Sequence, residues 1–214
     1  MKEKLEPVAA ALREALKEDL AALVLYGSAA RGKHAEGSDV NLLVVLKDSA
    51  LDAVERAARV LAGEKTLKLR PVFMTEEELA RSGDVFPLEY RDILAGYDVL
   101  HGADPLKGLR VDTGNLRHQL EFELRSKLMR LRSEWPALRS DPKALKAALA
   151  AAGPSFARLC AEAAVLGVRV PPERSAPFEE CRSLRGPEKG CDLPSLYRRV
   201  HDAAAELVRA VDLI

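Results

Sequence analysis

Gly27 and Ser28 follow one apolar run, and Asp39 opens a second one eleven positions after the serine. Those residue types at that spacing suit the binding of an anion beside a cation. Without a side chain, Gly27 lets backbone N–H groups come close to an anion, and the Ser28 hydroxyl can donate to a phosphate oxygen. A short helical segment from about Ala29 would add the positive end of its dipole, and Arg31 a full charge. Strand side chains alternate, so Asp39 stands beside residue 41. Two carboxylates there would hold hard divalent cations against a triphosphate and clamp the attacking and leaving oxygens in line. Residue 41 is Asn41. Its carbonyl oxygen can still ligate a metal, but without the charge that keeps two cations close together.

The elements that must position these groups follow from the apolar patterning. Ala21 to Tyr26 is continuously apolar and stopped by Gly27, which predicts a buried parallel strand. Val40 to Leu46 predicts a second strand with Asp39 at its entrance. Thr66 to Met74, TLKLRPVFM, predicts a third. That run holds no acid, and its alternation puts Lys68 and Arg70 on one face, where cations repel Mg²⁺ and attract phosphate. Arg31, Lys33 and His34 form a further cluster that either serves an anion or faces water.

The segments GSAARG and SDVNLLVV resemble the signature of the nucleotidyltransferase superfamily of the DNA polymerase beta type. In that family the pattern is Gly-Ser, a short gap, then Asp-x-Asp or Asp-x-Glu, with a third acid on a neighbouring strand. The small bacterial branch, with its aminoglycoside adenylyltransferases and minimal nucleotidyltransferases, is the most similar. The resemblance implies an α/β (α+β) mixed sheet flanked by helices, followed by an all-α helical bundle. It also implies transfer of a nucleoside monophosphate from an NTP, ATP foremost, to a hydroxyl of a small molecule or protein, with Mg²⁺ on Asp39 and Asn41. By this resemblance Asp39 and Asn41 are the catalytic positions. Gly27, Ser28, Arg31, Lys68 and Arg70 are the nucleotide contacts. Asn41 in place of the second acid implies impaired or lost transfer, the condition of a pseudoenzyme, with Lys68 or Arg70 partly replacing the missing metal charge. Asp84, Glu89 and Asp92 are the acids that folding could still bring to the site. The alternative reading is a non-catalytic interaction or regulatory module that keeps the fold.

Helical periodicity supplies the rest of the architecture. Leu5, Val8, Ala9, Leu12 and Leu16 predict an amphipathic first helix covering one face of the sheet. Asp48 or Ser49 is expected to cap a second helix with a stripe of Leu51, Val54, Ala58 and Leu61, ended by Gly63. Thr75 to Glu78 reads as a capping box, Phe86 to Leu94 as a short helix and Tyr97 to His101 as an edge strand. Gly102 to Gly108 reads as a linker. Domains are therefore expected at 1–105 and 109–214.

Beyond the linker, Leu116, Leu120, Leu124, Leu128 and Leu131 predict a long helix, supported by Glu121 with Arg125 and Glu123 with Lys127. Asp141 and Pro142 start another, Pro154 a third, and Pro194 to Val211 closes the bundle with Leu196, Val200, Leu207 and Val208. Val170 to Asp192 reads as a long loop with a short helical stretch near Phe178 to Leu184. In the resembled family the bundle completes the acceptor cleft, which makes Glu121 and Glu123 candidate bases and Arg117, Arg125 and Lys127 candidate anion contacts. Charges on the open side of an amphipathic helix are more often simply solvated. His101 and His118 likewise read as surface groups.

Thirty-three basic and thirty-three acidic side chains cancel over 214 residues, so no global field draws the chain to nucleic acid or to a membrane. Without a signal-peptide core or a bilayer-length apolar run, a cytoplasmic protein is expected. Cys160, Cys181 and Cys191 are expected as free thiols rather than a disulfide framework or zinc site. A protein partner or homo-oligomer through the bundle is the remaining partner class.

Overall fold

The computed structural model describes residues 1–32, 39–184 and 191–214. Lys33, His34 and Ser38 of the expected phosphate segment lie outside the described residues, as do 185–190 of the expected long loop. The chain divides into two compact units, Met1–Asp112 and Thr113–Ile214.

The first unit runs α1 (Lys2–Leu16), β1 (Leu20–Tyr26), β2 (Val40–Leu46), α2 (Leu51–Gly63), β3 (Leu69–Thr75), α3 (Glu76–Arg81), α4 (Pro87–Leu94) and β4 (Tyr97–Gly102). All five residues of the predicted α1 stripe are buried. The four strands lie in the order β3-β2-β1-β4, with β4 at an edge as expected. β1 is antiparallel to both its neighbours, which corrects its reading as a parallel strand. The parallel pair is β2 with β3, joined through α2 as the crossover. β1 is continuously apolar because helices cover both faces of the sheet. Leu23 and Val44 pack with Leu12, Leu16, Ala53 and Ala57 on the α1/α2 side. Val24 and Leu43 pack with Leu79, Tyr90 and Ile93 on the α3/α4 side. Burial on two faces, not strand direction, removes the alternation.

Several boundaries differ from the sequence expectation. Residues 27–32 form a turn, closed by the Arg31 N–H donating to the Gly27 carbonyl at 3.2 Å, rather than a helix with a developed dipole. α2 begins after Ala50 without a side-chain cap. Its buried positions are Ala53 and Ala57, with Val54, Val60 and Leu61 packed beside them, while Leu51 is 68% exposed. The sheet selects small residues at the close approach and turns the predicted stripe by one position. β3 starts at Leu69 because the Glu64 carboxylate accepts from Thr66 N, Thr66 Oγ1 and Leu67 N at 2.5, 2.5 and 3.0 Å, holding 64–67 as a turn. The Thr75–Glu78 capping box is formed in both directions. Leu106 is 2% exposed in the α3/α4-side core, where Leu109 and Val111 also pack.

The second unit consists of α5 (Thr113–Leu138), α6 (Pro142–Val165), α7 (Pro172–Ser183) and α8 (Leu193–Asp212). The five predicted leucines of α5 and the four predicted apolar residues of α8 are buried. Each such leucine stabilises the fold by about 1.5–3 kcal/mol through removal from water. Asp141 caps α6 as expected, accepting from Lys143 N and Ala144 N at 3.0 Å each. Pro154 does not start a helix. α6 continues through it, because Leu145, Leu149, Phe156, Leu159 and Ala163 keep one buried stripe whose packing outweighs a missing backbone bond. A Cβ on Gly153 would lie 2.2 Å from Cys181 Cβ, so that glycine permits the close approach of α7. α7 is also longer than the stretch expected within a loop, because Phe178 stacks on Phe156 at 5.1 Å and Cys181 is buried. No helix among the described residues is long and apolar enough to cross a membrane.

The three cysteines are free thiols in different environments. Burial pushes the Cys181 thiol up to about 12, with the Glu180 charge as a smaller contribution, and pushes Cys160 up to about 11. Cys191 is exposed. An aromatic disulfide reagent at about pH 8 is expected to label one thiol per native chain quickly, because only a thiolate in contact with solvent reacts. Cys160, half-buried and with its thiol pushed up, should react slowly, and Cys181 only after urea unfolding. Fast labelling of all three thiols in the native protein would contradict the burial of Cys181.

Candidate functional site

The site residues converge at one end of the sheet on its α4 face. Arg70, Asn41, Tyr26 and Tyr97 occupy matching register positions on β3, β2, β1 and β4, forming one row across the four strands. Gly27 follows Tyr26 directly. Its φ of +76° belongs to the left-handed region, and a Cβ there would lie 2.8 Å from Asn41 Nδ2 and 3.9 Å from Asp92 Oδ2. A side chain at residue 27 would therefore be strained and would press on the asparagine. Ser28 is the next residue of the turn and is half-buried.

Asp39 stands one residue before β2. Its Oδ1 is 2.7 Å from Lys68 Nζ and its Oδ2 is 3.3 Å from Arg70 Nε. The backbone makes this meeting inevitable, because Val40 N donates to the Lys68 carbonyl at 2.9 Å and Asn41 is in register with Arg70. The Lys68 ammonium foremost, with Arg70 beside it, holds the Asp39 carboxyl below its ordinary range, against a smaller opposing effect of desolvation. The sequence expectation made Asp39 a metal ligand and Lys68 and Arg70 nucleotide contacts; the structure instead pairs the aspartate with both cations.

Arg31 is positioned differently from a free phosphate contact. Its Nη1 donates to the Asp92 carbonyl and to Asp92 Oδ1 at 3.3 Å each, and Nη2 donates to Oδ1 at 3.4 Å. The arginine stem crosses Gly96, where a Cβ would come within 2.5 Å of Arg31 Cγ. The turn is thus fastened to the C-terminal end of α4. Of the three acids offered by the sequence, Asp92 reaches this corner. Glu89, three residues earlier on the same helix, acts on Tyr26, whose pKa is raised by burial first and then by the charges of Asp92 and Glu89. Asp84 instead influences Tyr90, on the folded interior of α4. Sequence reasoning missed Tyr26, Gly96 and the Arg31–Asp92 pair. The helical i, i+3 spacing of Glu89 and Asp92 was the one available signal.

The donor set does not fit a cluster of divalent cations. Asp39 has both oxygens beside cations, Asn41 is neutral and in register with an arginine, and Asp92 is engaged by Arg31. Among the described residues no group of three or more histidine, cysteine, aspartate or glutamate side chains is arranged to hold a metal.

In the second unit, the candidate base Glu121 lies 2.9 Å from Arg125 and 3.8 Å from Arg117, and Glu123 lies 3.5 Å from Lys127. Arg125 also reaches both oxygens of Asp212 at 2.5 and 2.6 Å, tying α5 to α8. These charges brace helices. His118 Nδ1 is 3.2 Å from the Gly114 carbonyl one turn back, a satisfied surface position. His101 lies on β4 opposite Leu23, away from the Arg70–Tyr97 row.

Comparison with known proteins gives two findings. Residues 9–96 match the family model described as a nucleotidyltransferase domain. The whole chain is similar in fold to spectinomycin adenyltransferase AAD(9) from Enterococcus faecialis, solved with ATP and spectinomycin. That likeness has a TM-score of 0.60 at 11% identity and covers 98% of each chain. No curated protein matches the sequence.

Proposed function

Residues 9–96 belong to the nucleotidyltransferase superfamily, and from that premise we propose that this protein binds a nucleoside triphosphate, ATP foremost, at the Gly27–Ser28 turn. Lys68 and Arg70 take the phosphates in place of part of the metal charge. Transfer of the nucleoside monophosphate to a hydroxylated acceptor is impaired or lost, because Asn41 supplies no second carboxylate. The observation that carries this reading is the placement of Lys68 and Arg70 against Asp39, at the point where a family member would add negative charge for a metal. Two cations there favour phosphate and oppose Mg²⁺. The acceptor class follows the structural neighbour, which was solved with ATP and spectinomycin. Net charge near zero disfavours a long nucleic acid.

A second reading, a non-catalytic interaction module, is favoured by Phe122 and Met129. These residues are seven positions apart on α5 and are 69% and 67% exposed. Calorimetric titration with ATP in EDTA, repeated with Mg²⁺, separates the readings. Binding retained in EDTA is expected. Binding that requires Mg²⁺ would return the site to ordinary metal-dependent chemistry, and no binding under either condition would leave the interaction module. Pyrophosphate release by Asn41→Asp, alone and combined with Arg70→Asp, then reports whether restoring carboxylates restores transfer.

A further inference from the structure

Both carboxylate oxygens of Asp39 face cations, at 2.7 Å from Lys68 and 3.3 Å from Arg70, so a single anion already bridges the pair. The backbones that carry the two cations are fixed beside Asp39. The Lys68 carbonyl accepts from Val40 N, and Arg70 is locked in the parallel register opposite Asn41. A phosphoryl group, with oxygens spread tetrahedrally about phosphorus, can bridge the same two donors with more charge than a carboxylate carries. The pair is also accessible: side-chain exposure is 60% for Lys68, 63% for Arg70 and 38% for Asp39. Ion pairs this exposed are weak, so a stronger anion displaces the carboxylate at little cost to the fold.

We propose that the Asp39 carboxylate is the resident anion of a polyphosphate site, displaced from Lys68 and Arg70 by a dense polyanion without need of a divalent cation. This rests on the nucleotide-binding reading above and gives Asp39 a different part within it. In place of a metal ligand that recruits the triphosphate, Asp39 is a competitor that keeps the cations paired until the triphosphate arrives. The ligand class is one with adjacent phosphoryl groups, whether the tail of a nucleotide or inorganic tripolyphosphate. After displacement the carboxylate faces the incoming charge and repels it, so removing it strengthens binding twice over.

The test is titration of the full chain with tripolyphosphate, and separately with ATP, in EDTA. Asp39→Asn is expected to bind tripolyphosphate about two- to tenfold more tightly than the unmodified protein, with an unchanged thermal midpoint. In a Lys68→Ala/Arg70→Ala background the same substitution is expected to give a clearly smaller tightening, because only the repulsion is relieved and there is no longer a cation pair to release. Unchanged or weaker binding by Asp39→Asn would overturn the proposal. Equal tightening in the background lacking both cations would overturn it too, since it would reduce the effect to general charge. Arms with ATP and tripolyphosphate that bind equally place recognition in the phosphates, whereas ATP binding alone overturns a polyphosphate site. If none of the proteins binds either ligand, the nucleotide-binding reading itself fails. If they bind without the Asp39 effect, only this inference does.

Discussion

Gly102→Ala is expected to destabilise the first unit by about 3 kcal/mol, lowering its unfolding transition by roughly 10–20 °C. Gly102 pairs with Ala22 at the end of β4 at a φ of +81°, and a Cβ built there would lie 2.1 Å from the Ala21 carbonyl oxygen and 3.1 Å from Ala22 Cα. The left-handed conformation alone costs an alanine about 1–2 kcal/mol. The overlap adds more, because the obstacle is the backbone of β1, fixed between β2 and β4. Relief requires β4 to peel from the edge, which exposes the row that carries Tyr97. Gly63→Ala is the control: it sits in the last position of α2 with nothing within 4 Å of a new Cβ, and should be neutral or slightly stabilising. Thermal unfolding followed by circular dichroism reads both. Equal midpoints for the two variants would remove the argument from close approach.

Lys68→Ala/Arg70→Ala should weaken ATP binding in EDTA by about 10- to 100-fold. A charge-assisted hydrogen bond to phosphate contributes on the order of 1.5–3 kcal/mol, and two partly exposed donors sharing one ligand contribute less than the sum of two such bonds. The fold should survive, because both side chains are more than half exposed and neither belongs to the core. The loss should also shrink as salt is raised, since these contacts are with solvent-accessible charges. Affinity within twofold of the unmodified protein would show that the phosphates lie elsewhere on the turn. Arg31→Ala is expected to act differently. Its guanidinium is committed to Asp92, so the change loosens the turn rather than deleting a phosphate contact.

The helices and strands were legible because each is specified by residues close in sequence. The α1 stripe, the Thr75 capping box, the Asp141 cap and the five leucines of α5 each repeat a spacing that one element satisfies by itself. The same local reasoning failed where a distant element changed the balance. Pro154 and Pro177 are breakers by propensity, yet both lie inside helices, because the α6/α7 interface around Gly153, Phe156, Phe178 and Cys181 outweighs one missing backbone bond. The pairing direction of β1 is not legible in its residues, since burial on both faces looks alike in parallel and antiparallel sheets.

At the candidate site, sequence alone determined the Gly27–Ser28 turn, the aspartate at the entrance of β2, the neutral Asn41 and the absence of an acid from β3. These are properties of residue identity and short spacing. Only tertiary structure decided that Asp39 is already paired with Lys68 and Arg70, and that Arg31 belongs to Asp92, 61 residues away. It also decided that Tyr26 and Gly96 take part. The reason is that a charge acts over a few ångströms in space, whatever the distance along the chain. Which opposite charge fills that radius is fixed by sheet register and by where α4 ends, and neither is written in the residues that carry the charge.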